Sequence, residues 1–203
     1  MVSHLSALSQ KARAAPTAVF YTLAVLALKP FVRCELQTGE PPCGRVLCFG
    51  WHADLVPGLL ASRFLENVAW VGRFSPSSLA MSAPAVTLGL RVLRFDPLGA
   101  QSSYVQVLRL INSFGGPVGL FTDADRADRQ VRGSLIGLAR DSGRELIPMR
   151  ATATSNLHVN GQEIPLPFST VRLRIGQGIS VRTLEKMTSS EAASFLRAEL
   201  ESL

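Results

Sequence analysis

Val46-Leu47-Cys48-Phe49-Gly50-Trp51-His52-Ala53-Asp54 is the stretch on which the fold turns. It reads as a buried strand that delivers reactive side chains at its C-terminal end. A second apolar run repeats the arrangement further along: Val118-Gly119-Leu120-Phe121-Thr122-Asp123-Ala124-Asp125-Arg126. Open α/β sheets place their sites at the carboxyl ends of strands. A histidine at one strand end, with an acid-plus-arginine cluster at another, points to an enzyme site that handles an anionic substrate.

Outward from these two runs, strands and helices alternate. Arg45 to Phe49 is the first buried strand, followed by a helix over Leu55 to Glu66 with apolar residues at three- and four-residue spacing. Strands are expected at Val68 to Val71 and Leu90 to Phe95, with a helix over Pro76 to Leu90 that Pro84 interrupts. Ser102 to Phe114 follows the helical period and ends at Gly115-Gly116. Pro117 to Phe121 is the next strand, Ser134 to Asp141 a helix stopped by Gly143, and Glu145 to Met149 another strand. Asn160-Gly161 is a hairpin signal after Leu157 to Val159. Val171 to Ile175 alternates as a strand, and Ser189 to Leu203 closes the chain as an amphipathic helix begun by Ser189-Ser190-Glu191. Glu35 to Gly44, with two prolines and two glycines, reads as a turn-rich connection. Repeated β-α units predict an α/β fold, a mostly parallel sheet covered by helices with a mixed C-terminal edge.

The chain has 203 residues, enough for one domain with a substantial core. Hydrophobic residues make up 47% and charged residues 18%, which excludes disorder. The net charge of +6 fits nucleic acid, an anionic lipid surface or phosphorylated substrates. No dense basic run and no basic-aromatic interleaving occurs, so nucleic acid is not expected as a partner. Cys34, Cys43 and Cys48 include no CxxC pair and read as free thiols in a reducing compartment. With His4, His52 and His158 as the only histidines, no metal site is expected.

Residues 14 to 28 form an apolar stretch between Arg13 and Lys29. A bilayer span needs roughly 20 apolar residues, more than this stretch has. No small-x-small cleavage pattern precedes Lys29-Pro30. A short helix over 3 to 13 and a hydrophobic one over 17 to 31 are expected, the second lying on or dipping into a membrane, or else packed in the core.

His52 is the first candidate for chemistry: a histidine can take a proton from a hydroxyl near neutral pH. A catalytic histidine needs an orienting acceptor, and Asp54, Asp123 or Asp125 could supply one, unless His52 is only a hydrogen-bonded core residue beside Trp51. The run Phe121 to Arg132 alternates three aspartates with three arginines, either a phosphate-binding cluster or a solvated, salt-bridged loop. Gly133 then opens a helix whose N-terminus favours anions. Arg94, where another apolar strand runs out, offers a second phosphate contact or an ordinary surface charge. No GxSxG, GxGxxG or GxxxxGK pattern occurs, so a hydrolase elbow and nucleotide loops are unsupported.

Taken in order, these elements resemble the lysophospholipid (glycerolipid) acyltransferase superfamily, and most closely a small bacterial branch whose first motif reads Trp-His. The likeness covers roughly residues 30 to 182. Trp51-His52 resembles the catalytic-histidine motif, Arg94-Phe95-Asp96 the second motif, and Phe121 to Arg126 the third, with Asp123 in place of its glutamate. Gly133 to Ala139 resembles the glycine-led helix that follows, and Ile147-Pro148-Met149 the fourth motif. Leu166-Pro167-Phe168 and Gly176 to Ile179 fit the branch's C-terminal hairpin region. Two positions depart from the pattern: Pro57 stands where the family has the aspartate that orients the histidine, and Ala124 where it has a glycine.

The resemblance implies a glycerolipid acyltransferase-like domain over 33–203, preceded by a hydrophobic membrane-associating helical segment over 1–32. It implies transfer of a fatty acyl group from acyl-CoA or acyl carrier protein to a hydroxyl of a lysophospholipid or related membrane lipid. His52 would be the base and Asp54 its orienting carboxylate, with Arg94, Asp123, Arg126 and Gly133 holding the acceptor phosphate. No cofactor beyond the acyl donor is implied, and the expected location is the cytoplasmic face of the inner membrane. Two alternatives stay open, a catalytically silent lipid-binding protein on the same fold and an acyl-thioester hydrolase.

Overall fold

The computed structural model describes residues 19, 22–73, 83–96, 101–122, 130–159 and 162–203. Asp123 and Arg126, the expected helix over 3 to 13, much of the expected helix over Pro76 to Leu90, and the turn pair Asn160-Gly161 lie outside them.

The strands are β1 (Arg33–Thr38), β2 (Val46–Gly50), β3 (Ala69–Arg73), β4 (Arg91–Phe95), β5 (Val118–Phe121), β6 (Glu145–Ala153), β7 (Asn156–Val159), β8 (Gln162–Pro165) and β9 (Thr170–Ile175). The helices are α1 (Leu55–Leu60), α2 (Ser103–Ser113), α3 (Gly133–Ser142), α4 (Val181–Glu185) and α5 (Ser189–Ser202). Residues 22–28 and 83–87 are also helical. Seven strands form one sheet in the order β1-β9-β6-β2-β5-β3-β4. From β6 to β4 every pairing is parallel, while β9 runs antiparallel to β6 and carries β1 parallel beside it. This is the expected α/β fold, a mostly parallel sheet under helices with a mixed edge.

The core explains why β2 is central. Leu47 and Phe49 point to one face, where they meet Val107 and Ile111 of α2, Leu135 and Leu138 of α3, and Leu196 of α5. Cys48 points to the other face, against Val56 and Leu60 of α1, Met149 of β6 and Val25 of the N-terminal helix. A strand covered on both sides reads as an unbroken apolar run, which is what Val46 to Phe49 is. Each large side chain so buried contributes roughly 1.5–3 kcal/mol.

Buried Arg144 ties this layer together. Its guanidinium donates to the carbonyls of Ile111 at 2.5 Å and Gly116 at 2.7 Å, and also to Phe114. It therefore closes the end of α2 against the start of β5. At the far end of the chain, Thr188 caps α5 in a reciprocal capping box with Glu191, one residue before the expected start.

Several boundaries differ from the sequence expectation. Arg33–Thr38 is an edge strand running into the supposed turn region, and its half-exposed pattern hides it. The helix expected over Leu55 to Glu66 stops at Leu60 and gives way to a 3-10 turn over Ser62–Phe64. β6 continues four residues past Met149 because its second half pairs with β9. The apolar N-terminal helix ends in a 3-10 turn over Lys29–Phe31, with Pro30 in it.

Candidate active site

β2 ends at Gly50, in register with Phe121, the last residue of β5. The Thr122 N–H donates to the Gly50 carbonyl at 3.1 Å, clamping the two strand ends together. Beyond Gly50 the chain folds into a 3-10 turn over His52–Asp54, closed by the Asp54 N–H on the Trp51 carbonyl at 3.1 Å. Trp51 is fully buried in the core and anchors that turn. The winding reverses here, since β2 and β5 are neighbours and the helices that follow them, α1 and α3, pack on opposite faces of the sheet. This is the switch-point position at which open α/β sheets bind ligands.

His52 opens on a cavity of about 470 Å³. That volume is within the range of small-molecule pockets, roughly 300–1,000 Å³. The described residues around it are mostly apolar, including Leu55, Leu59, Trp70, Leu90, Val92 and Phe121. Trp70 stacks on Phe121 with ring centres 4.9 Å apart, and Phe121 meets the His52 ring edge-on at 5.8 Å. Gly119 makes the stack possible. It lies beside Trp70 in the sheet, and a Cβ there would fall 2.5 Å from the indole.

Polar groups are few. The Nδ1 of His52 is 2.6 Å from the side-chain nitrogen of Gln162, the first residue of β8. Gln162 is 4% exposed, and its carbonyl oxygen has no hydrogen-bond donor among the described residues. Buried Asp54 accepts from the Ala151 N–H at 3.4 Å and faces the Arg150 guanidinium at 3.9 Å, linking the His52 turn to β6. Arg132 and Ser134, on either side of Gly133, line the cavity, so the N-terminus of α3 opens on it. No Cβ contact would arise within 4 Å at Gly133.

Among the expected site residues, His52 and Asp54 are thus neighbours in one turn, and Gly133 sits at the cavity's α3 edge. Arg94 is on the outer strand β4 and lines a second, shallower depression with Gln101, Gln106 and Arg109. Phe95, the next residue, borders both hollows. Asp123 and Arg126 belong to the segment outside the described residues. Sequence reasoning missed Gln162, Trp70 and Arg150, whereas Arg132 closes the Phe121 to Arg132 run already read as a candidate phosphate-binding cluster. Only Gln162 had a nearby signal, the Asn160-Gly161 turn that predicts a hairpin at that point.

Cys48, pressed into the core behind the site, is pushed up to about 12 by burial, so its thiol stays protonated. Cys34 is also raised, chiefly by burial, with Arg63 and Lys29 working against it. All three cysteines are free.

No family model matches the chain, and no curated protein matches it in sequence. Among solved structures it is similar to the crystal structure of the 1-acyl-sn-glycerophosphate (LPA) acyltransferase, PlsC, from Thermotoga maritima. The TM-score is 0.51 and the sequence identity 15%, covering 96% of this chain and 81% of that one. At that identity the likeness is one of fold: the chain shares the α/β fold of that enzyme.

Proposed function

We propose that this protein is an acyltransferase that moves a fatty acyl group from an acyl thioester to a hydroxyl of a lysophospholipid or related membrane lipid. The observation that carries the reading is the placement of His52 at the carboxyl end of the central strand, at the mouth of a largely apolar cavity of about 470 Å³. The fold shared with the PlsC enzyme supports the same direction.

The chemistry follows from the residues. The acceptor hydroxyl gives its proton to the unprotonated imidazole nitrogen of His52 as its oxygen bonds to the thioester carbonyl carbon. Collapse of the tetrahedral intermediate breaks the C–S bond, and the imidazolium returns the proton to the departing thiolate of CoA or acyl carrier protein. Apolar walls around Leu55, Leu59 and Trp70 suit the acyl chain. The negative charge of Asp54, beside the His52 turn, favours the imidazolium. Gly133, at the N-terminus of α3 between Arg132 and Ser134, suits an acceptor phosphate. Arg126 is proposed as a further contact, positioned by Asp123, and Arg94 as one approaching from the adjoining hollow that Phe95 also borders. Much of the rate would come from holding acceptor and thioester together.

A membrane lipid acceptor calls for a protein surface that meets the bilayer. Among the described residues no helix is long and apolar enough to cross a membrane. Leu23, Leu26, Phe31 and Phe168 are nevertheless exposed, and Phe31 and Phe168 pack together at 5.8 Å. These exposed apolar side chains support peripheral contact with a lipid surface, for which we propose the cytoplasmic face of the inner membrane.

One observation favours a second reading. Pro57 is buried in α1 at the position where the resemblance places an orienting aspartate, as expected of a silent lipid-binding protein. An acyl-transfer assay separates the two. Detergent-purified protein is given a lysophospholipid extract with labelled acyl-CoA or acyl carrier protein, beside His52→Ala. Transfer reduced about 100-fold or more in the variant supports the enzyme. Lipid binding without transfer by the wild-type protein supports the silent reading instead.

A further inference from the structure

We propose that Gln162 is the positioning residue of His52, its side-chain carbonyl accepting the Nδ1 proton so that Nε2 is the unprotonated nitrogen and acts as the base. The proposal rests on reading His52 as the base of the acyl transfer, and it names the group that sets the tautomer.

The contact joins a buried glutamine to Nδ1 at 2.6 Å. A primary amide can face an imidazole nitrogen in two ways that have the same shape and opposite polarity. With its N–H₂ toward Nδ1, the amide donates, the imidazole proton must sit on Nε2, and the nitrogen left for substrate has no lone pair. In that orientation the Gln162 carbonyl is also buried without a donor. A half-turn of the amide about its last bond reverses the first defect and gives the buried carbonyl a donor, while the N–H₂ takes the place the carbonyl held. The carbonyl then receives the Nδ1 proton, and Nε2 becomes a base. The 2.6 Å separation is short for a nitrogen pair and for N–H···O alike, so it is the buried carbonyl, not the distance, that selects the half-turn.

The scaffold holds Gln162 firmly enough for this role. It begins β8, pairs with Val159 across the hairpin, and packs with its strand against the His52 turn and α1. α1 itself offers no acceptor at Pro57, whose side chain is a ring of carbons. Asp54 of the same turn directs Oδ2 toward the Ala151 N–H and Arg150. The tautomer role expected of Asp54 thus falls to a neutral amide from a hairpin remote in sequence.

A neutral orienter fixes the proton without adding charge, so the imidazolium gains less than it would from a carboxylate at the same place. The other charged or titratable groups among the described residues around His52 are Asp54 on its own turn, Arg150 on β6, Arg132 before α3 and Tyr104 on α2. Glutamate at 162 would add the missing charge at nearly the same size.

The test uses the full chain labelled with ¹⁵N-histidine, with His52→Ala to assign the signal among the three histidines. In the wild type at neutral pH, His52 is expected to carry its proton on Nδ1. Gln162→Met keeps the length and loses the carbonyl; it should move His52 to a mixture rich in Nε2–H and lower kcat about 10- to 100-fold with little change in KM. Gln162→Glu should restore the Nδ1–H tautomer and most of the rate, and raise the His52 titration by about one unit, with the acidic limb of the rate profile moving equally. An Nε2–H tautomer in the wild type would overturn the proposal, as would a Gln162→Met protein whose His52 spectrum and titration match the wild type. Because the spectra need no turnover, a protein without acyl transfer that still loses Nδ1–H in Gln162→Met would strike out the acyltransferase reading while supporting the pairing.

Discussion

Gly119→Ala is the smallest change that should reach the site. A Cβ at this position would lie 2.5, 2.7 and 2.8 Å from three atoms of the Trp70 ring, all in the rigid indole. Ordinary carbon contacts are about 3.5–4.0 Å, so the indole must retreat by about 1 Å. It has little room, because Trp70 lies on Phe121 at 4.9 Å and Phe121 abuts the His52 ring. Overpacking of this kind costs about 1–3 kcal/mol. Urea unfolding should record that loss, near-UV circular dichroism should change in the tryptophan bands, and acyl transfer should fall about tenfold, equivalent to ~1.4 kcal/mol on the barrier. Trp70→Phe removes much of the offending ring, so the double variant should cost less than the sum of the singles by about 1 kcal/mol or more. If Gly119→Ala unfolds within about 0.5 kcal/mol of the wild type with unchanged tryptophan bands, the steric reasoning is wrong.

Arg144→Met should lower stability by about 3–5 kcal/mol, because the carbonyls of Ile111, Phe114 and Gly116 all lose a charged donor in a buried setting. A urea midpoint close to the wild type would show that those carbonyls find other partners. Cys48 makes stability depend on alkaline pH. Its thiol is raised from an ordinary 9.0 to about 12 in the folded state, so the stabilisation is complete below pH 9 and is lost as pH rises toward 12. The loss should approach about 1.4 kcal/mol per pH unit within that window. Cys48→Ala should flatten this slope in urea titrations, and an equal slope in both proteins would trace it to another group.

Much of the fold was legible because parallel strands buried on both faces announce themselves. Val46 to Phe49 and Val118 to Phe121 are short apolar runs with no competing helical period, and both are central strands. Arg33 to Thr38 gave no such signal, since an edge strand needs only one covered side and alternates weakly. The extension of β6 was hidden by Arg150, whose charge breaks the apolar run although Asp54 receives it inside the fold. His52 stood out because polar chemistry follows a buried strand. Gln162 could not stand out. An isolated glutamine after a turn is commonplace, and its partner lies 110 positions earlier. Nor could periodicity reveal that Arg94 would face a second depression, because Phe95 beside it borders both.

The long interval between His52 and Gln162 also has a meaning in time. A chain emerging from the ribosome exposes the His52 turn well before the β7–β8 hairpin, whose Gln162 lies 110 positions later. At ordinary synthesis rates that interval lasts roughly 5–20 s. During it the parallel strands β2 to β6 can be made, while β1 still waits for β9 to be translated. On the pairing proposed above, a nascent chain carries the His52 turn for that interval without the amide that would orient it.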